Sequence, residues 1–261
     1  MSLLLSNSNK KTIAKAIEVD GYFILRNAIS TKFIDQQKKR WAQIFRKNID
    51  SKYFVRGNLI LGESNFLSYS KIPSWCMFRY FEFLWNKSTD ENAKNIHIEL
   101  HKFRNSIQSL PEEMGLNYNI GNYGIYISTS LYPPGKGMLE AHSDGHGELP
   151  ILHYMLPFTF KGEDYDEGGL YIEDNHGKII DIDSNIKKGD LIFFDGRNKH
   201  WVKKIKSSQL NQIGRLASFA IPTYFEKSYS YAVIIRSIKI FIYQVFSKMS
   251  QFFLRKKKYP N

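Results

Sequence analysis

The chain has 261 residues, 43% hydrophobic and 24% charged, which excludes a low-complexity polymer and allows one large domain with a sizeable core. Cys76 is the only cysteine, so an intramolecular disulfide is excluded, in agreement with a reducing, cytoplasmic setting. The formal charge of +12 favours anionic partners without identifying one, and nucleic acid is not the expected partner.

The opening residues, MSLLLSNSNKK, have only a short apolar run and no cleavage signal of a secretory peptide. Residues 21–26 (GYFILR) read as a strand. Ser30 or Thr31 can cap a helix reaching about Asn48, with Phe33, Ile34, Trp41 and Ile44 among its apolar positions. Residues 50–88 are aromatic and irregular and resist assignment. Residues 91–110 have Ile96, Leu100, Phe103 and Ile107 at helical spacing, and Pro111 follows. From Asn122 the pattern changes to short β-rich runs between Gly, Pro, Asn and Asp: 122–132, 151–160, 168–173, 178–183, 190–195, 200–206 and 213–225. Such a series predicts a mainly β fold with helical additions, a double-stranded β-helix or jelly roll.

Residues 231–254 return to helical periodicity, with Ile234, Ile235, Ile238, Phe241, Ile242, Val245 and Phe246 on one stripe. Lys and Arg interrupt it, which argues against a membrane span, and RKKK (255–258) closes it with positive charge. The tail 229–261 carries seven basic residues and no Asp or Glu, so it reads as a basic amphipathic C-terminal helix appended to a catalytic domain, 1–228, with its core at about 122–225. Packing on the jelly roll or on a second copy of the chain is the plainer reading of that stripe. Peripheral attachment to an anionic membrane is the sharper one.

The chemistry-bearing residues cluster in the β-rich part. His142 and Asp144 form an H-x-D pair whose side chains leave a strand on the same side. His200 stands far along the chain, on another run of strand character. Two histidines and one carboxylate can occupy one face of an Fe(II) ion and leave the opposite positions open for a bidentate co-substrate and O₂. Arg215 follows His200 by 15 residues and is placed like a cation that receives the far carboxylate of 2-oxoglutarate. A guanidinium suits that task because its fork gives two parallel hydrogen bonds.

YPPG (132–135), HSD (142–144), EGGLYI (167–172), KGDLIFF (188–194), HWV (200–202) and GRLAS (214–218) occur in that order. Together they resemble the core of the Fe(II)/2-oxoglutarate-dependent dioxygenases, in particular the prolyl-hydroxylase-like and phytanoyl-CoA hydroxylase-like groups. DGYFILRNAISTKFIDQQKKRW (20–41) is similar to the opening strand and helix of the latter. The resemblance implies His142, Asp144 and His200 as metal ligands and Arg215, Tyr132, Tyr154 and Ser218 as co-substrate contacts. It implies Fe(II), 2-oxoglutarate and O₂, with ascorbate as a candidate reductant. The reaction it implies is hydroxylation of a small-molecule, lipid-linked or peptide substrate with release of succinate and CO₂. Asp144 argues against the halogenating relatives, which leave that place to chloride.

Other histidines read differently. His146 is a candidate for a substrate contact or a supporting hydrogen bond near the metal. His153 and His176 read as surface or packing histidines. His97 and His101 have a zinc-compatible i, i+4 spacing, but HIELH lacks the HExxH pattern, so they read as a plain helix face. Gly168 and Gly169 permit a close backbone turn and do not form a phosphate loop. The competing functions are a non-catalytic cupin-like metal or carbohydrate-binding module and a nucleic-acid demethylase. Intact His142, Asp144, His200 and Arg215 oppose the first; the absence of a second arginine motif after Arg215 opposes the second.

Overall fold

A computed structural model of the protein describes residues 7–46, 55–56, 66–72, 75–117, 123–144, 152–209 and 211–224. The helix expected over 231–254 and His146 lie outside them. The described residues form three helices: α1 (Asn7–Asp20), α2 (Thr31–Arg46) and α3 (Glu91–Ile107). They also form twelve strands: β1 (Tyr22–Leu25), β2 (Val55–Arg56), β3 (Phe66–Ile72), β4 (Trp75–Phe83), β5 (Tyr123–Tyr132), β6 (Met138–His142), β7 (Leu152–Pro157), β8 (Glu167–Glu173), β9 (Ile179–Asp181), β10 (Leu191–Asp195), β11 (His200–Lys206) and β12 (Arg215–Tyr224). None of these helices is long and apolar enough to cross a membrane.

The helices form where side-chain chemistry starts and sorts them. Asp90 caps α3 by accepting the Ala93 N–H at 3.0 Å. Phe33, Ile34, Trp41 and Phe45 of α2 are buried on one side at helical spacing. The strands join one antiparallel sheet in the order β1-β10-β7-β12-β5-β4-β6-β11-β8-β9, with β3 and β2 added on β4. The sheet curls so that β6, β11, β8 and β9 face the longer β1-to-β5 half, the mainly β jelly-roll architecture that the strand series predicts.

Alternation then gives each strand of the longer half two different duties. One face meets the helices: Phe193 contacts Phe103 of α3, Phe78 contacts Phe45 of α2, and Tyr154 stacks on His97 of α3. The other face looks into the jelly roll. The register of β5, β12, β7 and β4 puts Tyr132 beside Arg215, Ser130 beside Ala217 and Arg79, and Met155 beside Phe219 on that inner side.

Four strands escaped the sequence reading: β2, β3 and β4, all within residues 50–88, and β6. β4 (WCMFRYFEF) is apolar at neighbouring positions because Phe78 packs on the helices while Met77 is buried on the inner side, so period-two alternation is lost. β6 is only five residues long and its burial pattern does not alternate cleanly.

Candidate metal centre

His142 ends β6 and His200 begins β11, and the antiparallel register makes them direct partners. Directly opposed residues on neighbouring strands hold their Cβ atoms about 5 Å apart, so the two imidazoles meet without any special loop. Their ring centroids are 4.4 Å apart. Asp144 lies two residues beyond His142, and its backbone N–H donates to Gly196 O at 2.8 Å, which ties it to the turn after β10. The ligand atoms of His142, Asp144 and His200 all fall within 4.8 Å of one another. His142 Nε2 is 3.8 Å from Asp144 Oδ1, and His200 Nε2 is 3.8 Å from Asp144 Oδ2.

The tautomers suit a metal. His142 Nδ1 lies 2.8 Å from Glu140 O and His200 Nδ1 lies 2.9 Å from Asn198 O. A carbonyl only accepts, so each Nδ1–H donates outward and each Nε2 lone pair turns toward Asp144. Burial pushes His200 down to about 4, which keeps its ring neutral and its lone pair available near neutral pH. Burial works to raise the Asp144 carboxyl, but the His153 hydrogen bond and the neighbouring imidazoles outweigh it and hold it at about 2. The donor set is therefore two imidazole Nε2 atoms and one carboxylate, which fits Fe(II) with open positions on the far side. The side chains of His142 and Asp144 are each 30% exposed and that of His200 8%, so the approach is from the His142 side.

His153, which the sequence reads as a surface or packing histidine, is packed on Phe194 and also reaches Asp144. It is buried on β7, and its Nε2 lies 2.7 Å from Asp144 Oδ2. Its signal in the sequence was no more than a histidine at an inward position of a strand, which requires the register to read.

Arg215 opens β12 and is 1% exposed. Asp183 accepts from its Nε at 2.6 Å and from its Nη2 at 3.2 Å. Nη2 also contacts Met155 Sδ at 3.0 Å, while Nη1 is buried without a partner. Burial works to lower the Arg215 pKa, and Asp183 more than offsets it, so the guanidinium keeps its charge. Tyr132 is Arg215's cross-strand partner, with Arg215 Cζ 5.7 Å from its ring centroid. Its hydroxyl is also buried with no acceptor, and burial raises its pKa against the pull of Arg79, whose side chain donates toward it, and of Arg215. Two adjacent buried donors with no acceptor cost roughly 1–3 kcal/mol each, and a ligand carboxylate would remove that cost. This pair therefore fits the distal carboxylate of 2-oxoglutarate.

One strand links the two ends. His153 and Met155 share the inner face of β7; the first touches Asp144 and the second touches Arg215. Two residues of strand span about 7 Å, a gap that a five-carbon dicarboxylate can bridge.

Two expected contacts do not join this pocket. Tyr154 sits between His153 and Met155 on β7, so it points to the opposite face, where its hydroxyl donates to His97 O at 3.1 Å and its ring stacks on His97. Ser218 is three residues from Arg215, an odd step along a strand, and its Oγ bonds Thr129 Oγ1 at 2.6 Å on the helix side. Ala217 holds the inward position instead.

Asp183 was not anticipated. It also accepts the Tyr165 hydroxyl at 2.6 Å and the Leu170 N–H at 3.0 Å. Gly169 (φ +109°) makes room for it: a Cβ there would lie 2.5 Å from Asp183 Oδ2. The Gly-Gly strand thus serves the floor of the arginine pocket.

No protein-family model and no curated protein matches the chain. Solved structures do. A prolyl-4-hydroxylase from Pseudomonas putida has a TM-score of 0.54 at 13% identity, covering 82% of this chain and 98% of its own. The non-heme α-ketoglutarate-dependent carbocyclase SnoK from nogalamycin biosynthesis has a TM-score of 0.54 at 12% identity, covering 85% of this chain and 88% of its own. The epimerase SnoN from the same biosynthesis has a TM-score of 0.52 at 9% identity, with 84% of each chain covered. The chain has the fold of the 2-oxoglutarate/Fe(II) oxygenases, and within that fold it brings His142, Asp144 and His200 together.

Proposed function

We propose that the protein is an Fe(II)- and 2-oxoglutarate-dependent oxygenase that hydroxylates a small-molecule, lipid-linked or peptide substrate and releases succinate and CO₂. The observation that carries the reading is the convergence of two Nε2 lone pairs and one carboxylate within 4.8 Å, opened toward the His142 side. Bound Fe(II) would supply activation of O₂ coupled to oxidative decarboxylation of the 2-oxo acid.

The chain's own groups do the rest. His142, Asp144 and His200 would hold the metal on one face and leave the other to ligands. Arg215 Nη1 and the Tyr132 hydroxyl would donate to the distal carboxylate and fix the co-substrate's length axis along β7. Phe194, in ring contact with His153 and His200, would shield the buried side of the site from water.

The test is O₂ uptake and succinate formation by purified protein given Fe(II) and 2-oxoglutarate, first without any substrate. Slow turnover that requires both additions and disappears in His200→Ala is expected. Fe(II) binding with no succinate would instead favour the metal-binding module. With turnover established, the mass change of a substrate found by untargeted search separates hydroxylation from epimerisation or ring closure.

A further inference from the structure

His153 lies outside the three-ligand set, yet among the described residues its imidazole makes a shorter contact to the Asp144 carboxylate than either ligand histidine. Nε2 is 2.7 Å from Asp144 Oδ2, whereas the Nε2 atoms of His142 and His200 are each 3.8 Å from an Asp144 oxygen. The ring is held on several sides. Nδ1 lies 3.0 Å from Ala220 O on β12, Phe194 packs at 5.1 Å between centroids, and the side chain is 4% exposed. A histidine so confined cannot turn away from Asp144 without breaking the contact to β12.

A carboxylate on a metal can bind through one oxygen or both. The choice sets how many positions remain for the co-substrate and O₂, and outer hydrogen bonds decide it. Asp144 is exposed enough (30% of its side chain) for its carboxylate to rotate, and its backbone tie to Gly196 leaves the side chain free to do so. Resting on the metal-centre reading, we propose that His153 is a positioning residue that engages Asp144 Oδ2, so that Asp144 offers the metal only Oδ1. The chain thereby keeps the second position open. The contact also spans the sheet, joining the segment after β6 to β7 and, through Ala220, to β12.

Two substitutions separate the two ends of that ring. Glutamine places its amide nitrogen near the imidazole Nε2 position and can still donate to Asp144. Asparagine is shorter, reaches only the Nδ1 position, and keeps the Ala220 side while losing Asp144. The probe is Co(II), added to the full chain and followed by visible absorption and by titration without co-substrate. His153→Asn is expected to bind Co(II) about 10–100-fold more weakly, with an altered absorption band as Asp144 closes on the metal through both oxygens. His153→Gln is expected to stay within about threefold of the unaltered protein and to keep its band. A His153→Asn protein with unaltered affinity and band would overturn the proposal. So would a His153→Gln protein as impaired as His153→Asn, since hydrogen-bond donation would then not be the role. If the unaltered chain takes up no Co(II), the metal-centre reading itself falls, a result distinct from either of these.

Discussion

Asp183 holds Arg215 by the Nε–Nη2 edge of its guanidinium, and only Nη1 is left for a ligand. The arginine expected to receive a co-substrate carboxylate with its whole fork already has one carboxylate, supplied by the chain. A co-substrate would therefore meet a guanidinium whose orientation is set in advance, with the Tyr132 hydroxyl as second donor.

That arrangement makes stability and co-substrate affinity separable. Arg215→Ala should weaken 2-oxoglutarate binding by on the order of 2–5 kcal/mol and leave Co(II) affinity nearly intact. It should also destabilise the fold by about 3–5 kcal/mol, because Asp183 is left buried and unpaired. The double variant Asp183→Asn/Arg215→Met should recover much of that stability but none of the binding. Thermal denaturation beside calorimetric titration with 2-oxoglutarate checks both; a double variant no more stable than the single one would show that the ion pair is not what the fold loses.

Gly169→Ala should act through the same pair. The added Cβ would meet Asp183 Oδ2 at 2.5 Å in a backbone conformation that L side chains rarely adopt. Loss of about 1–3 kcal/mol in denaturant unfolding is expected, with weaker 2-oxoglutarate binding. Gly177, with positive φ but open space around it, is the control: Gly177→Ala should leave binding unchanged.

His142→Ala, Asp144→Ala and His200→Ala should each lower Fe(II) affinity and abolish succinate formation, while circular dichroism stays native. Turnover like the unaltered protein's in any two of them would remove the metal assignment.

The metal-free protein should lose stability on mild acidification. Burial pushes His97, His101 and His200 each down to about 4, so the fold excludes a proton that the unfolded chain takes up near 6.5. Each contributes nothing against folding at pH 7 and progressively more as pH falls from about 6.5 toward 4. Between pH 7 and 5 the loss should be roughly 2 kcal/mol per histidine, read from urea unfolding. His97→Phe keeps the backbone carbonyl that accepts the Tyr154 hydroxyl and should flatten the slope by one histidine's share. An equal slope in that variant would contradict the assignment.

Short-range pattern alone determined much of this molecule. Helix caps and apolar spacing located α2 and α3, because a helix is a local structure whose signals lie within a few residues. Seven β-rich runs located the jelly-roll strands from β5 onward, apart from β6. His142, Asp144, His200 and Arg215 were legible because their residue types and order carry chemistry that few other patterns carry.

What tertiary structure decided was facing and pairing. Tyr154 and Ser218 passed for pocket residues until alternation turned them to the helix side; one step along a strand reverses a side chain, and sequence gives the step no absolute phase. His153 and Asp183 lay hidden for the converse reason. Each is an ordinary polar residue in its own segment. Each acquires a role only when the curled sheet brings a partner to it, Asp144 from nine residues earlier and Arg215 from 32 residues later. Burial then makes those meetings obligatory, since a buried ring or carboxylate must find a partner or forfeit its hydration.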